Sequence, residues 1–173
     1  RGITTMVNTL AVPDVKRSFK FSKLVSKEKE FIIRPTRGLR TICKAADVFR
    51  AGIDSDFQEY KTDARSRATS KMEVQIFEQT HNGKLAELFA DFGQKLDDIC
   101  FTQDQIISFV ESYDKMISRN GWGTLLLFKV QSWHYVAAVS RNDNGVLVYM
   151  FRLFPVGHTL LARDDHRIVI PQL

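Results

Sequence analysis

The 173-residue sequence contains only two cysteines, Cys43 and Cys100, which lie far apart in the chain. C-x-x-C and H-E-x-x-H spacings, a Gly-rich phosphate loop and a G-x-S-x-G turn are absent, which excludes the common motifs of zinc, dithiol, nucleotide and serine-hydrolase chemistry. A secreted, disulfide-stabilised domain usually carries a denser set of cysteines. We therefore interpret both as buried free thiols, and the sequence predicts neither a metal site nor a cofactor.

Long apolar segments are also lacking. A run such as Thr124–Val130 is far too short for a bilayer, which takes about 20 apolar residues. Near the N-terminus, the apolar residues 10–12 are interrupted by Pro13 and followed by Lys16 and Arg17, so no secretory leader is indicated. We expect a cytoplasmic protein without membrane contact.

Charge is distributed unevenly along the chain. Residues 1–50 carry 12 Lys and Arg against four Asp and Glu, residues 51–118 carry seven against 13, and residues 119–173 carry six against three. This segregation indicates a polyanionic partner, RNA or DNA, for the basic N-terminal part.

The order of hydrophobic patterns predicts an α+β fold. We expect a basic, partly disordered arm over residues 1–30 and a single domain over residues 31–173. Three to four short helices are predicted within residues 36–120, followed by a four- to five-stranded antiparallel meander over residues 122–173, either open or curled into a small barrel. Internal repeats and low-complexity segments are absent.

Helix signatures fall at two places. Ser70 and Glu73 have capping-box spacing, which predicts a helix continuing through Phe77. Thr102 and Gln105 repeat this spacing before a long apolar stripe that ends at residues 120–121, which predicts the best-defined helix of the chain.

The meander is predicted from β-branched and aromatic runs at residues 124–130, 133–141 and 146–154, with two shorter strands at 159–162 and 167–170. Asn144 and Gly145 are the preferred pair for a tight hairpin turn. The first and third runs are apolar on both faces, whereas a sheet with one wet face alternates. The sheet is therefore covered on both sides, curled, or offers an apolar face to a protein partner or a second copy.

The basic arm is the main functional candidate, because Lys and Arg that neutralise phosphates, interleaved with stacking aromatic rings, are typical of proteins that bind single-stranded nucleic acid. The alternatives are a solvated arm whose phenylalanines anchor it to the core, and an arm that lies across the acidic segment 51–118 of the same chain. The candidate nucleic-acid-binding residues are Lys16, Arg17, Lys20, Lys23, Arg34, Arg37, Arg40, Phe19 and Phe21.

A second hypothesis is a metal-independent phosphodiesterase or ribonuclease, in which a histidine transfers protons and arginine stabilises charge on phosphate. The candidate catalytic residues are His134, His158, His166, Arg152 and Arg167, and the alternative is that they are ordinary surface and turn residues. A third hypothesis is a structural subunit of a larger assembly. A non-catalytic binding module is the preferred interpretation.

The closing segment from Phe101 to Leu173 contains the stretches FTQDQII, GTLLLFK and HRIVIPQL. In these stretches it resembles small uncharacterised proteins of candidate-phylum bacteria. Those proteins have no assigned activity, so the resemblance implies a bacterial, cytoplasmic origin and no particular function.

Overall fold

The computed structural model describes residues 18–27, 29–154 and 159–173. The strands of this part of the chain are β1 (Ser22–Leu24), β2 (Phe31–Ile33), β3 (Gly52–Ile53), β4 (Met72–Gln79), β5 (Gly83–Lys84), β6 (Thr124–Val130), β7 (Trp133–Asn142), β8 (Gly145–Arg152), β9 (Thr159–Leu160) and β10 (Arg167–Pro171). Its helices are α1 (Asp56–Glu59), α2 (Leu85–Ala90) and α3 (Gln103–Tyr113), and its 3₁₀ turns are Ile42–Lys44, Leu96–Ile99, Asp114–Met116 and Ala162–Asp164.

Eight of the described strands form one mixed sheet. The order is β1-β4-β10-β6-β7-β8-β3, and β2 also pairs with β4. The run β6-β7-β8 is antiparallel, but β10 is parallel to β6 and β3 is parallel to β8. The strand order does not close on itself, so the sheet is open, and β5 and β9 form a separate two-stranded ribbon.

The predicted architecture, several helices followed by an antiparallel meander or small barrel, is therefore wrong. Residues 36–120 are not a helical half followed by a meander, because three strands lie among them and only α3 is longer than six residues. The segment around the Ser70–Glu73 spacing is β4, an interior strand that pairs antiparallel with β10 and β1. Its side chains alternate as strand residues do: Ile76 faces one side of the sheet and Phe77 the other.

Two local predictions are confirmed. The backbone N–H of Gln105 donates to Thr102 Oγ1 at 3.1 Å, and Thr102 N–H donates to Gln105 Oε1 at 2.9 Å, so α3 begins with the predicted capping box. β7 and β8 form the predicted hairpin, but its turn is one residue earlier than expected. Asn142 pairs with Gly145, whose φ of +123° is open only to glycine, so the turn is centred on Asp143 and Asn144.

Both faces of the sheet are covered by the chain itself. On one face, which we call the α3 face, Phe57 of α1 and Ile106 and Phe109 of α3 pack over the strands. On the other, the α2 face, Phe89 of α2 and Phe21 close over Leu125, Leu127, Ile168 and Ile170. This double cover explains why β6 is apolar on both sides.

No helix in residues 18–27, 29–154 or 159–173 is both long and apolar enough to span a membrane.

Candidate anion-binding cleft at the sheet edge

The functional candidate lies where the edge of the sheet is interrupted. β1 pairs with the end of β4 and β2 with its beginning, so both lie along the same edge of β4. Between β1 and β2 along this edge lie residues 25–27 and 29–30, which belong to neither strand, and we call these described residues the edge bulge. It is fixed to β4 at one point, where Val25 N–H donates to Ile76 O at 2.9 Å and Ile76 N–H donates to Ser26 Oγ at 3.0 Å.

A cavity of about 420 Å³, which we call the edge cleft, opens beside the bulge on the α3 face. Three cations point toward it and no acidic side chain is among its described lining residues. Such a site attracts anions, because its described lining carries three positive charges and no carboxylate. The lining residues are Val25, Ser26, Lys27, Lys29, Phe31, Ile76, Met116 and Arg167.

Two of the cations are positioned by contacts within the fold. Arg167 Nη1 donates to Met116 O at 2.9 Å, which orients the guanidinium beside the cleft. Lys29 Nζ lies 5.6 Å from the centre of the Phe31 ring, within cation–π range. Glu78 of β4 pairs in register with Lys23 of β1 on one side and with Arg167 of β10 on the other. It is therefore the acidic residue that lies beside Arg167 on the neighbouring strand.

The two other cavities of comparable size are less suited to an anion. One of about 380 Å³ shares Lys27 and Lys29 with the edge cleft, but its lining also includes Glu30 and Glu73. Another, of about 530 Å³, is lined by Asp47 and Asp63 as well as by basic residues. There Thr41 Oγ1 donates to Asp63 at 2.6 Å, and this bond together with Lys44 lowers the pKa of Asp63 to about 2.

The predicted arm residues are placed in several different environments. Lys16 and Arg17 lie outside the described residues. Phe21 is buried, and Phe19 packs edge-on against Phe77 and Phe92 at centroid distances of 5.5 and 5.0 Å, so these rings anchor the chain. Their packing leaves the enclosed Phe21 ring no free face for a nucleic-acid base.

The predicted basic residues divide into paired and unpaired groups. Arg40 donates to Asp104 at 2.7 Å and to Glu111 at 2.5 Å, so its charge is used within the fold. Lys20, Lys23, Arg34 and Arg37 are exposed and form no ion pair with any residue that the structure describes.

The predicted histidine set is not brought together in the described part of the chain. His166 is fully buried: its Nδ1 donates to Gln79 Oε1 at 2.8 Å and its Nε2 accepts from Trp122 N–H at 3.1 Å. Desolvation lowers its pKa, so the ring is neutral. His134 pairs with Lys129, five residues along β6 from the Thr124 that pairs with Arg167. That offset is about 17 Å.

The two remaining catalytic candidates are His158 and Arg152. His158 lies outside the described residues. The guanidinium of Arg152 lies 4.2 Å from the centre of the Tyr60 ring and 5.7 Å from that of Trp133, which holds it in an aromatic cluster on the α3 face.

Sequence reasoning missed one further cluster. Asp97, Cys100 and His134 place a carboxylate oxygen, a sulfur and an imidazole nitrogen within 4.8 Å of one another. His134 Nε2 lies 2.8 Å from Asp97 Oδ1, and burial raises the pKa of Cys100 to about 12. Cys100 lies three positions after Asp97, but His134 comes from β7, far along the chain, so no short motif marked the group.

Comparison with known proteins adds no relative: no family model, curated protein or solved structure matches this chain. Fold and cleft together define an α+β protein with an open mixed sheet covered on both faces and a basic cleft at one sheet edge.

Proposed function

We propose that the protein is a non-catalytic binding module that holds the phosphate backbone of single-stranded nucleic acid in the edge cleft. The observation that carries this proposal is the meeting of Lys27 and Lys29, from the basic N-terminal region, with Arg167 from the far end of the chain in a cleft whose described lining has no carboxylate. Lys and Arg side chains that bind phosphates displace the counterions condensed on the nucleic acid, which supplies most of the affinity for a polyanion.

The cations continue beyond the cleft along the same edge. Lys20 and Lys23 precede the edge bulge and are exposed, so they extend the positive track over at most about 30 Å. A row of lysines is better suited to bind the flexible phosphate backbone of a single strand than to recognise the edges of particular bases. Of the apolar lining residues, Phe31 and Ile76 are buried and Met116 is partly exposed, so the described lining offers positive charge to phosphates and little surface to a base. Binding is therefore expected to be sensitive to salt and tolerant of sequence.

The test measures binding to mixed-sequence single-stranded RNA and DNA by fluorescence anisotropy over a range of salt concentrations. The double variant Lys27→Gln/Lys29→Gln should bind about tenfold more weakly at low salt. The slope of log K against log salt concentration should also become less steep by about 1.4, since each phosphate contact to a single strand contributes about 0.7 to that slope.

The matched control is Arg50→Gln/Lys61→Gln, which removes two exposed cations elsewhere on the surface. Its net charge therefore equals that of Lys27→Gln/Lys29→Gln. It should keep the wild-type slope. Equal losses in both double variants would show that only overall charge matters, and wild-type binding that does not depend on salt would overturn the proposal.

The other two hypotheses are separable in the same preparation. RNA that stays intact in the presence of a chelator argues against a metal-independent ribonuclease, whereas cleavage that disappears in His158→Ala would favour one. A stable oligomer in light scattering would favour the structural subunit.

A further inference from the structure

The cluster of Asp97, Cys100 and His134 lies away from the edge cleft, on the α2 face at the end of the sheet where β6 turns into β7. Asp97 belongs to the 3₁₀ turn Leu96–Ile99, Cys100 follows that turn, and His134 is the second residue of β7. We propose that these three side chains bind one Zn²⁺ ion, with the fourth coordination position open to water or to a small ligand.

The donor atoms match the metal. Zn²⁺ takes thiolate, imidazole and carboxylate ligands in tetrahedral geometry, whereas Ca²⁺ and Mg²⁺ require oxygen ligands. Bond lengths of about 2.0–2.3 Å place tetrahedral zinc ligands roughly 3.4–3.6 Å apart. The three donor atoms already lie within 4.8 Å of one another, and the 2.8 Å contact between His134 Nε2 and Asp97 Oδ1 would need to open by roughly 0.6 Å to admit the ion.

The scaffold holds the ligands at this spacing. Phe101 N–H donates to Leu127 O at 2.8 Å, which attaches the residue after Cys100 to β6. His134 sits in the β6–β7 ladder, and its carbonyl accepts from Leu153 N–H at 3.1 Å. Both ligands therefore project from backbone that is fixed before any metal arrives, which lowers the entropic cost of binding.

Lys129 completes the surroundings as an orienting group. It pairs with His134 across β6 and β7, and its Nζ lies 2.9 Å from Asp97 Oδ2. This ion pair engages one carboxylate oxygen and leaves Oδ1 directed at the imidazole, in the manner of the outer partners that orient metal ligands. An ion pair between His134 and Asp97 accounts for two of the three residues, and Cys100, which packs against the apolar residues of the α2 face, places its sulfur beside them as the third donor.

Access is also adequate, because the side chain of Asp97 is 59% exposed while that of His134 is 17% exposed. An ion can enter from the Asp97 side and reach the less accessible sulfur and nitrogen.

The experiment is a titration of the purified, chelator-treated full chain with Co²⁺, whose spectrum reports the ligands that Zn²⁺ would take. The wild type should show a near-ultraviolet thiolate-to-cobalt charge-transfer band and visible bands of tetrahedral intensity, saturating at one ion per chain and abolished by added Zn²⁺. Cys100→Ser should lose the charge-transfer band, and His134→Gln should weaken Co²⁺ and Zn²⁺ binding at least tenfold.

The matched control is Cys43→Ser, which removes the other half-buried cysteine and should leave the spectrum unchanged. Zn²⁺ should also raise the unfolding temperature of the wild type and of Cys43→Ser but not of His134→Gln, a variant at the rim of the cluster that serves if Cys100→Ser does not fold. A wild type without the thiolate band, or a band that follows Cys43 instead of Cys100, would overturn the proposal.

Discussion

The buried imidazole of His166 makes the stability of the protein depend on pH. Its two ring nitrogens join the residue before β10 to β4 through Gln79 and to the turn before β6 through the Trp122 N–H. The acceptor role of Nε2 requires the neutral ring, so protonation would replace this hydrogen bond with a contact between two donors.

The sign and size of the effect follow from linkage. Desolvation lowers the pKa of His166 below the ordinary value of 6.5, although Asp164 and Asp165 act in the opposite direction. Stability from the neutral ring is therefore complete above about pH 6.5 and is lost below it, because the unfolded chain then binds a proton that the folded chain does not. With a ring that stays neutral in the fold, the loss at pH 5 is about 2 kcal/mol, and the two carboxylates reduce this value.

Urea unfolding of the wild type and of His166→Gln between pH 5 and pH 8 measures this contribution. Gln cannot titrate, so His166→Gln should be less stable near pH 8 but should lose up to about 2 kcal/mol less than the wild type on acidification. His81→Gln, which removes an exposed imidazole, should follow the wild-type profile. If His166→Gln and the wild type have parallel pH profiles, the reasoning is refuted.

Three further substitutions test the packing by unfolding at neutral pH. Gln103→Leu should cost about 2–5 kcal/mol, because the Gln103 amide accepts from Ile42 N–H and donates to Thr62 O, and both partners are left unsatisfied; a loss below 1 kcal/mol would contradict this. Thr102→Ala should cost about 1 kcal/mol by removing the α3 cap, while Thr102→Ser should recover most of it. Gly123→Ala should be poorly folded or more than about 3 kcal/mol less stable, since Gly123 has φ +81° and a β carbon would lie 2.1 Å from a β7 carbonyl oxygen; near-wild-type stability would show that this turn can rearrange.

The elements that could be predicted from the sequence are those that local interactions determine. The Thr102–Gln105 cap satisfies its own backbone within one turn, so its residues alone mark the beginning of α3. β7 and β8 are neighbours in sequence and in space, and a short turn joins them. Even there the exact turn was missed, because Asp143 and Gly145 favour a turn one residue earlier.

β4 shows where local reasoning fails. Ser70 and Glu73 have the spacing of a capping box, but β4 lies between β1 on one edge and β10 on the other. Ile168 pairs with Phe77 from a segment far along the chain, and such pairings override local helix preference without leaving a sequence pattern.

Pairing between segments far apart in sequence also limits how much of the edge cleft could be predicted from the sequence. The basic arm over residues 1–30, which contains Lys27 and Lys29, and Arg167 were each predicted as candidates, but for separate functions. Only the antiparallel pairing of β10 with β4 brings Arg167 to the edge bulge. The side chain of His166, the preceding residue, points to the opposite side of the sheet. Arg167 therefore faces the cleft, whereas His166 is held in the core by its hydrogen bond to Gln79.

The geometry of β6 separates the two proposed sites and limits how they can influence each other. Arg167 pairs with Thr124 at the start of β6, whereas Lys129, beside the proposed metal ligands, lies near its end, about 17 Å away and on the opposite face of the sheet. At that distance in water, charges are largely screened at physiological salt. Zn²⁺ therefore has no direct electrostatic route to a nucleic acid in the edge cleft, and any influence between the sites must pass through the stability of the sheet that both share.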